Sequence, residues 1–503
     1  MKMTLFVANR GEIALRIIRT CRRLGVRTVL AYSEADRESL PMRYADERYP
    51  LNGSTPAETY LNIPKLVQAA VASGCDAVHP GYGFLSEDPS FVEACEASGL
   101  RFVGPSSRTL AKLGNKLQAR TVMKECGVPL IPGSDRPLAD EEEAVDLVTK
   151  IGCPVIIKAV YGGGGRGMRI ANDVDEVRRF FRITRLEAAS AFGRGDIYVE
   201  KRLVAPRHIE IQALADGHGK IVSLGERECS IQRRHQKLVE EAPSIAVDPG
   251  LRQKLTDAAI RGLKASNYTN AGTVEFLVDS NGDFYFLEVN KRLQVEHLVT
   301  ELTTRVDIVE EQLNVAEGAS LGISQNEVNV AGWAINCRIN AEDPRSDFIP
   351  TPGTVIQYHP PTGPGVRIDS ALYSGYTIPE YYDSLIAKLA TRGATRDEAI
   401  ARMKVALEET EIIGVPTTVP LHIELMHDDN FVKGDFDTTY LNGFAPRLNS
   451  RIASYEKLAA VVAAVEKTRS PKAWRTEPHH KQSRWRTASR TESMTGSYKR
   501  MGS

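Results

Sequence analysis

The sequence predicts an α/β protein of several modules, and three observations carry that reading. Short apolar runs alternate with helix-length stretches near the N-terminus, a glycine-rich loop lies between two strand-like segments, and the 503-residue length is several times that of one ordinary domain. Lys plus Arg (64) balance Asp plus Glu (64), so no net field draws the chain to nucleic acid or an anionic membrane. With 42% hydrophobic and 25% charged residues there is enough apolar surface to close several cores, which excludes wholesale disorder. Seven scattered cysteines (Cys21, Cys75, Cys95, Cys126, Cys153, Cys229, Cys337) include no Cys-x-x-Cys pair, which argues for reduced thiols and against a disulfide frame or zinc site. No apolar run reaches the length of a signal core or membrane span, so a cytoplasmic, soluble protein is expected.

In chain order, strands at 5–8, 28–32 and 77–79 are separated by helices at 12–24 and 63–73, the pattern of parallel βαβ units. Gly11, Gly81 and Gly83 follow strands, where loops form a ligand crevice. A second unit over about 132–203 has strands at 155–159 and 168–170 around the glycine run, a helix at 174–191 and a strand at 197–200. Strands at 208–213, 221–226, 273–278 and 284–290 dominate the segment to about 330, and a last globular portion runs to about 446, with turns at 350–353 and 360–365. Residues 467–503 hold ten Lys/Arg against two Asp/Glu and almost no aliphatics; such a tail buries too little apolar area to offset ordering entropy and is expected to be disordered.

Gly162-Gly163-Gly164-Gly165-Arg166-Gly167 matches G-x-G-x-x-G by count, yet a strand, not a helix, follows it. It reads as a flap whose N–H groups close over phosphates, with Lys158 just before it as a point charge. If Asn281-Gly282 makes a two-residue turn, Glu275 falls directly opposite Glu288 in an apolar hairpin, with Asn290 on the same face. Facing carboxylates are destabilising unless a cation joins them, so two carboxylates and an amide oxygen predict a hard divalent-ion site. A register slip or a salt bridge to a lysine is the plain alternative. Arg292, Gln294 and Glu296 crowd beside this site and suit binding of a small oxyanion with proton removal by a base. The dense stretch Gln232 to Lys237, followed by Glu240-Glu241, lacks aromatics for base stacking and points to a small anionic ligand. Cys229, three residues upstream, reads as an inert packing thiol.

These residues resemble biotin carboxylase, an ATP-grasp enzyme, over roughly residues 3–446. The likeness rests on Ala8-Asn9-Arg10-Gly11-Glu12-Ile13, on His79-Pro80-Gly81-Tyr82-Gly83-Phe84-Leu85, on the glycine flap, and on Glu228 to Lys237. It continues through Gln294-Val295-Glu296-His297, Cys337-Arg338-Ile339-Asn340-Ala341-Glu342-Asp343-Pro344 and Tyr381-Tyr382-Asp383-Ser384. The resemblance implies a Rossmann-like N-terminal (pre-ATP-grasp) domain over 1–113 and an ATP-grasp core over 114–330, with a mobile lid at about 132–203. A C-terminal biotin carboxylase domain over 331–446 follows, and 447–503 form a helix and basic tail.

The resemblance also implies ATP-dependent carboxylation of biotin on a carrier protein, using bicarbonate and Mg²⁺ or Mn²⁺. Lys116, Lys158, Gly164, Gly165, Glu200, Lys201, Leu203, His208, Gln232 and His235 match nucleotide-binding positions, and Glu275, Glu288 and Asn290 match the metal ligands. Glu296 matches the base; Lys237, Arg292, Gln294 and Val295 match the bicarbonate pocket; Arg338 matches the group that stabilises the biotin enolate. Asn115, Lys291, Leu298, Arg305 and Trp333 depart from common family residues, and Lys291 with Arg305 is similar to some archaeal acyl-CoA carboxylases. No Ala-Met-Lys-Met biotin acceptor occurs, which implies a carrier and a carboxyltransferase on separate chains; Arg16, Arg19 and Arg367 fall where family homodimers meet. The expected complex is an acetyl- or propionyl-CoA carboxylase. Pyruvate carboxylase is the alternative, as are another ATP-grasp ligase and a silent ATP-binding protein, against which the intact base, metal and arginine set argues.

Overall fold

The computed structural model describes residues 3–160, 167–444, 457–458, 460–462 and 464–465. Gly164, Gly165 and Arg166 of the flap, and the basic tail, lie outside the described residues. Two compact units divide the chain, Met1–Ala445 and Pro446–Ser503; the described residues of the second are helical.

The first unit opens with β1 (Thr4–Val7), α1 (Gly11–Leu24), β2 (Arg27–Tyr32), β3 (Glu47–Pro50), α2 (Ile63–Ala72), β4 (Ala77–His79), α3 (Pro89–Ala97) and β5 (Arg101–Phe102). All pairings are parallel, in the order β3-β2-β1-β4-β5, as the alternation of strands and helices predicts. The sheet is buried on both faces: Leu5 and Val7 join one apolar cluster and Phe6 another. The loop after β4 needs Gly81, whose φ is +63° and where a Cβ would lie 2.8 Å from Nδ2 of Asn9. That amide donates to the carbonyls of Pro80 (2.6 Å) and Tyr82 (2.8 Å) and so holds the loop at the strand end.

Helices α4 (Ser107–Gly114) and α5 (Lys116–Glu125) lead to a small layer of its own: α6 (Glu141–Ile151), β6 (Val155–Ala159), β7 (Met168–Ala171), α7 (Val174–Phe192) and β8 (Ile197–Lys201). Its antiparallel sheet β7-β6-β8 packs Val155, Ile157, Ile197 and Val199 against Ala144, Val148, Val177 and Phe181. The glycine run does join two paired strands, Lys158 standing opposite Met168.

The large sheet begins with β9 (Arg207–Ala215), β10 (Ile221–Arg233) and β11 (Gln236–Ala242), followed by α8 (Pro249–Ala265), β12 (Asn270–Val278), β13 (Phe284–Asn290) and α9 (His297–Thr304). Beyond residue 330 come β14 (Trp333–Asn340), the short β15 (Glu342–Asp343), β16 (Ile349–Pro350), β17 (Gly353–Thr354) and β18 (Gln357–His359), then β19 (Val366–Ser370), β20 (Thr377–Ile378) and β21 (Leu385–Gly393). Eight antiparallel-paired strands run in the order β13-β12-β9-β10-β11-β14-β21-β19, so the sheet crosses residue 330 without a break. One face of β9, β12 and β13 packs Ile209, Ile211, Val274, Phe276, Phe286 and Val289 on Leu255, Ala259 and Leu263 of α8. Each such fully buried side chain contributes about 1.5–3 kcal/mol. The opposite face carries the polar residues described next. Among the described residues, no helix is long and apolar enough to cross a membrane.

Candidate active site

The β12–β13 hairpin places Glu275 opposite Glu288, but by a different route from the one the sequence predicts. The turn is one residue longer on one side: Asp279 pairs with Asp283 through a 2.9 Å bond, and Gly282 takes a φ of +84°. Its Asp279 Oδ1 accepts from the backbone of Asn281 and Asp283, which stabilises a three-residue loop over the two-residue one. That turn alone would slip the register and send Glu288 to the other face. A bulge at Leu287 restores it, since Phe276 pairs with Phe286 while Glu275 pairs with Glu288. The extra residue lets Phe286 and Val289 both enter the core while Glu288 and Asn290 share the opposite face.

Glu275 is buried and accepts from Nζ of Lys237 (2.9 Å), Nδ2 of Asn290 (2.6 Å) and, on its other oxygen, Nε2 of His208 (2.8 Å). The lysine bridge weighed as an alternative is therefore present together with the facing acid pair. Burial would raise the Glu275 carboxyl, but Lys237 and His208 hold it far below the usual range. Glu288 is exposed and makes no hydrogen bond or ion pair among the described residues. Its carboxyl is pushed up, by restricted solvation and then by Glu275, with Lys116 acting against. The Asn290 carbonyl oxygen, expected to face a metal, accepts instead from Arg292 (3.1 Å).

Lys237 joins three carboxylates: Glu210 (2.5 Å), Glu275 (2.9 Å) and Glu296 (2.7 Å). Glu296, fully buried at the N-cap of α9, also accepts from Arg338 (2.9 Å). Burial would raise it, yet Lys237, Arg338 and Arg227 hold it well below the ordinary carboxylate range. Arg338 reaches Glu240 as well (2.6 Å). Arg292 forks between Gln294 (2.9 Å) and Asn290, with Glu87 at 3.4 Å from its Nε; Val295 sits in the turn that begins α9. Lys291, one of the departures, also contacts Glu87 (3.3 Å).

Toward the small layer, Glu200 bridges the side chains of Lys158 and Arg120, and Lys116 lies near enough to Glu288 and Glu200 to feel both. Lys201 donates to the Cys153 carbonyl (2.9 Å), and Leu203 is half-buried in the link to β9. Gln232 pairs with Lys237 across the β10–β11 hairpin, whose two turn residues Arg234 and His235 both have positive φ, 49° and 65°. Such backbone is strained for bulky residues and is held here by Asp347, which accepts from Arg233 and Arg234. Burial lowers the proton affinity of the His235 ring, with the nearby charges of Lys158 and His208 acting in the same direction.

Sequence reasoning missed Glu210 and the fully buried Arg227, which binds Glu210, Gln212 (2.8 Å) and Thr300 (2.9 Å). The alternation His208, Glu210, Gln212 was the available signal. His208, Glu210 and Glu275 offer ligand atoms within 4.8 Å of one another, but Lys237 and Arg227 already occupy that charge. For a divalent cation the fitting set is the facing Glu275 and Glu288, the second without an ion-pair partner among the described residues, with Asn290 available once its oxygen leaves Arg292.

Three family models match in succession: "Biotin carboxylase, N-terminal domain" over residues 1–110, "Carbamoyl-phosphate synthase L chain, ATP binding domain" over 115–324, and "Biotin carboxylase C-terminal domain" over 336–443. Biotin carboxylase 1 of Bacillus subtilis is 52% identical over 441 residues, 88% of this chain and 98% of that protein. A pyruvate carboxylase subunit of Methanothermobacter thermautotrophicus is 47% identical over 479 residues, 92% of this chain and 97% of that protein. A crystal structure of a biotin carboxylase–β,γ-ATP complex from Campylobacter jejuni superposes with a TM-score of 0.86 at 46% identity, covering 88% of this chain and 99% of that one.

Proposed function

The chain belongs to the biotin carboxylase family, and from that premise we propose how its residues share the work of carboxylating biotin with ATP and bicarbonate. The enzyme is an ATP-dependent ligase that acts on biotin borne by a separate carrier protein. The observation that carries the residue roles is the Glu296 carboxylate clamped between Lys237 and Arg338, beside the facing Glu275–Glu288 pair.

With Lys237, Arg338 and Arg227 all turned on it, Glu296 is too strongly stabilised as an anion to be a good base. Bicarbonate, held by Lys237, Arg292, Gln294 and the Val295 backbone, draws the same cations to itself, loosens their hold on Glu296 and raises its proton affinity. The base therefore becomes competent when its substrate is bound. Glu296 takes the bicarbonate proton, and the freed oxygen attacks the γ-phosphate to give carboxyphosphate. Carboxyphosphate breaks to CO₂ and phosphate, the phosphate takes the ureido proton, and Arg338 stabilises the enolate oxygen as the nitrogen–carbon bond forms.

Lys116, Lys158, Glu200, Lys201, Leu203, His208, Gln232 and His235, with Gly164 and Gly165 of the flap, are the proposed nucleotide contacts. Glu275, Glu288 and Asn290 would hold Mg²⁺ or Mn²⁺, which neutralises triphosphate charge. We retain the division into 1–113, 114–330 with a lid at about 132–203, 331–446 and a tail over 447–503. We also propose a homodimer through the face of Arg16, Arg19 and Arg367; Arg16 and Arg367 already meet within the chain on Glu301, at 2.9 and 2.7 Å.

The proposed setting is the cytoplasm, with carrier and carboxyltransferase on other chains and an acetyl- or propionyl-CoA acceptor. A pyruvate acceptor is the second reading, favoured by the likeness to the Methanothermobacter pyruvate carboxylase component. Bicarbonate-dependent ATP hydrolysis stimulated by free biotin tests the function, and loss of it in Glu296→Ala and Arg338→Ala with ATP binding retained tests the roles; normal turnover in both variants refutes them. Identifying the carboxyltransferase that co-purifies with the native protein decides the acceptor.

A further inference from the structure

The acid pair on β12 and β13 has a basic counterpart in the other half of the sheet. Arg338 on β14 stands directly opposite Lys388 on β21, so both side chains leave the same sheet face. Lys388 is fully buried. Like charges in that position destabilise a strand pair unless an opposite charge is held there, and a buried ammonium is costly unless well paired.

Its partners only partly offset it. Glu12 lies 3.0 Å from Nζ, Asp369 is the register neighbour on β19, and the Tyr82 ring centroid is 5.4 Å from Nζ, while the Tyr82 hydroxyl donates to Glu12. Burial raises the Glu12 carboxyl to about 7, against Lys388 and with Asp369, so near neutral pH it cancels the ammonium only in part. After burial itself, Lys388 is the first of the charges that keep His297, the neighbour of Glu296, neutral. The ammonium thus stands beside Arg338 on the sheet, and its charge reaches the residue next to Glu296.

Resting on the biotin carboxylation reading above, we infer that Lys388 is a positioning residue for the carboxyl-transfer half-reaction. Arg338 contacts the ureido oxygen as negative charge develops there, and Lys388 adds a second positive charge from behind while fixing Tyr82 through Glu12. The first half-reaction, formation of carboxyphosphate at Lys237 and Glu296, depends on it less.

The full-length protein with MgATP, bicarbonate and free biotin provides the test. Lys388→Met lowers the ratio of biotin-stimulated to biotin-independent ATP hydrolysis about 10-fold, through kcat, with the bicarbonate KM moved by less than about 2-fold. Because that variant strands Glu12, the double variant Glu12→Gln/Lys388→Met is measured beside it; it regains the wild-type Tm while the ratio stays low. Lys388→Arg, which keeps the charge, holds the ratio within about 3-fold. An unchanged ratio in either methionine variant overturns the inference, as does a ratio that recovers with Tm in the double variant or a 10-fold loss in Lys388→Arg. Wild-type protein whose ATP hydrolysis ignores biotin overturns instead the reading on which the inference rests.

Discussion

Glu288 and Glu296 lie on the same polar side of the large sheet and are driven in opposite directions. Glu288, at the β13 edge, faces Glu275 and is raised by restricted solvation and by that neighbour. Glu296 is fully buried, a stronger reason to be raised, yet Lys237, Arg338 and Arg227 pull it down. Burial alone therefore does not set the sign; the count of cations around each carboxylate does. One end of the face is short of positive charge, as the metal site proposed there requires, while the other holds cations that an entering anion can share. Environments that push like groups apart assign them different tasks.

The strongest way to break this contrast is Glu296→Gln, which keeps the shape and removes the proposed base. Bicarbonate-dependent ATP hydrolysis falls about 10³-fold while MgATP still raises the Tm. Activity within tenfold of wild type means that the clamped carboxylate is structural. Glu288→Gln acts at the other end and in the opposite sense. Apparent Mg²⁺ affinity weakens about 10- to 100-fold, yet the metal-free protein gains about 1 kcal/mol because the facing charges are gone. A lower metal-free Tm would show that Glu288 has a partner after all.

Glu12 sharpens the comparison, since it is raised like Glu288 although a lysine stands beside it. Its folded-state value of about 7 exceeds the ordinary 4.5, so its stabilising contribution is complete below pH 4.5 and is lost as pH rises through about 7. Glu12→Gln makes stability flatter between pH 5 and 8, by about 1–3 kcal/mol at the alkaline end, read from denaturant midpoints across that range. An unaltered pH profile would mean that Lys388 already holds the carboxyl ionised.

The acid pair was legible in the sequence because Asn281-Gly282 and the flanking aromatics announce a hairpin. The bulge was not, since Phe284, Phe286 and Leu287 are all apolar and alternation there says nothing about an extra residue. Lys237 and Arg338 emerged from resemblance, whereas Glu210, Arg227 and Lys388 passed unnoticed for one physical reason. Glu210 and Lys388 alternate with apolar neighbours and Arg227 stands between Glu226 and Glu228, so each reads as part of a solvated strand face, and only pairing with distant strands turns that face inward. The parallel N-terminal sheet was the easiest part to read, because its strands and helices alternate locally.

The mildest substitution concerns a departure from the family at the rim of the acid end. Asn115 caps α5 by accepting from the backbone of Leu117 (3.0 Å) and Gln118 (3.1 Å), and Lys116 follows as the cation acting most strongly on Glu288. Asn and Asp cap helices almost equally well, so Asn115→Asp changes stability by less than about 0.5 kcal/mol. The new carboxylate does compete for Lys116, which leaves Glu288 still shorter of positive charge and its demand for a metal greater. Metal-free Tm therefore stays within about 2 °C while the Mg²⁺ requirement for ATP binding sharpens by about 2-fold. A weaker requirement would place Lys116 with the nucleotide alone and remove it from the balance that sets Glu288 apart from Glu296.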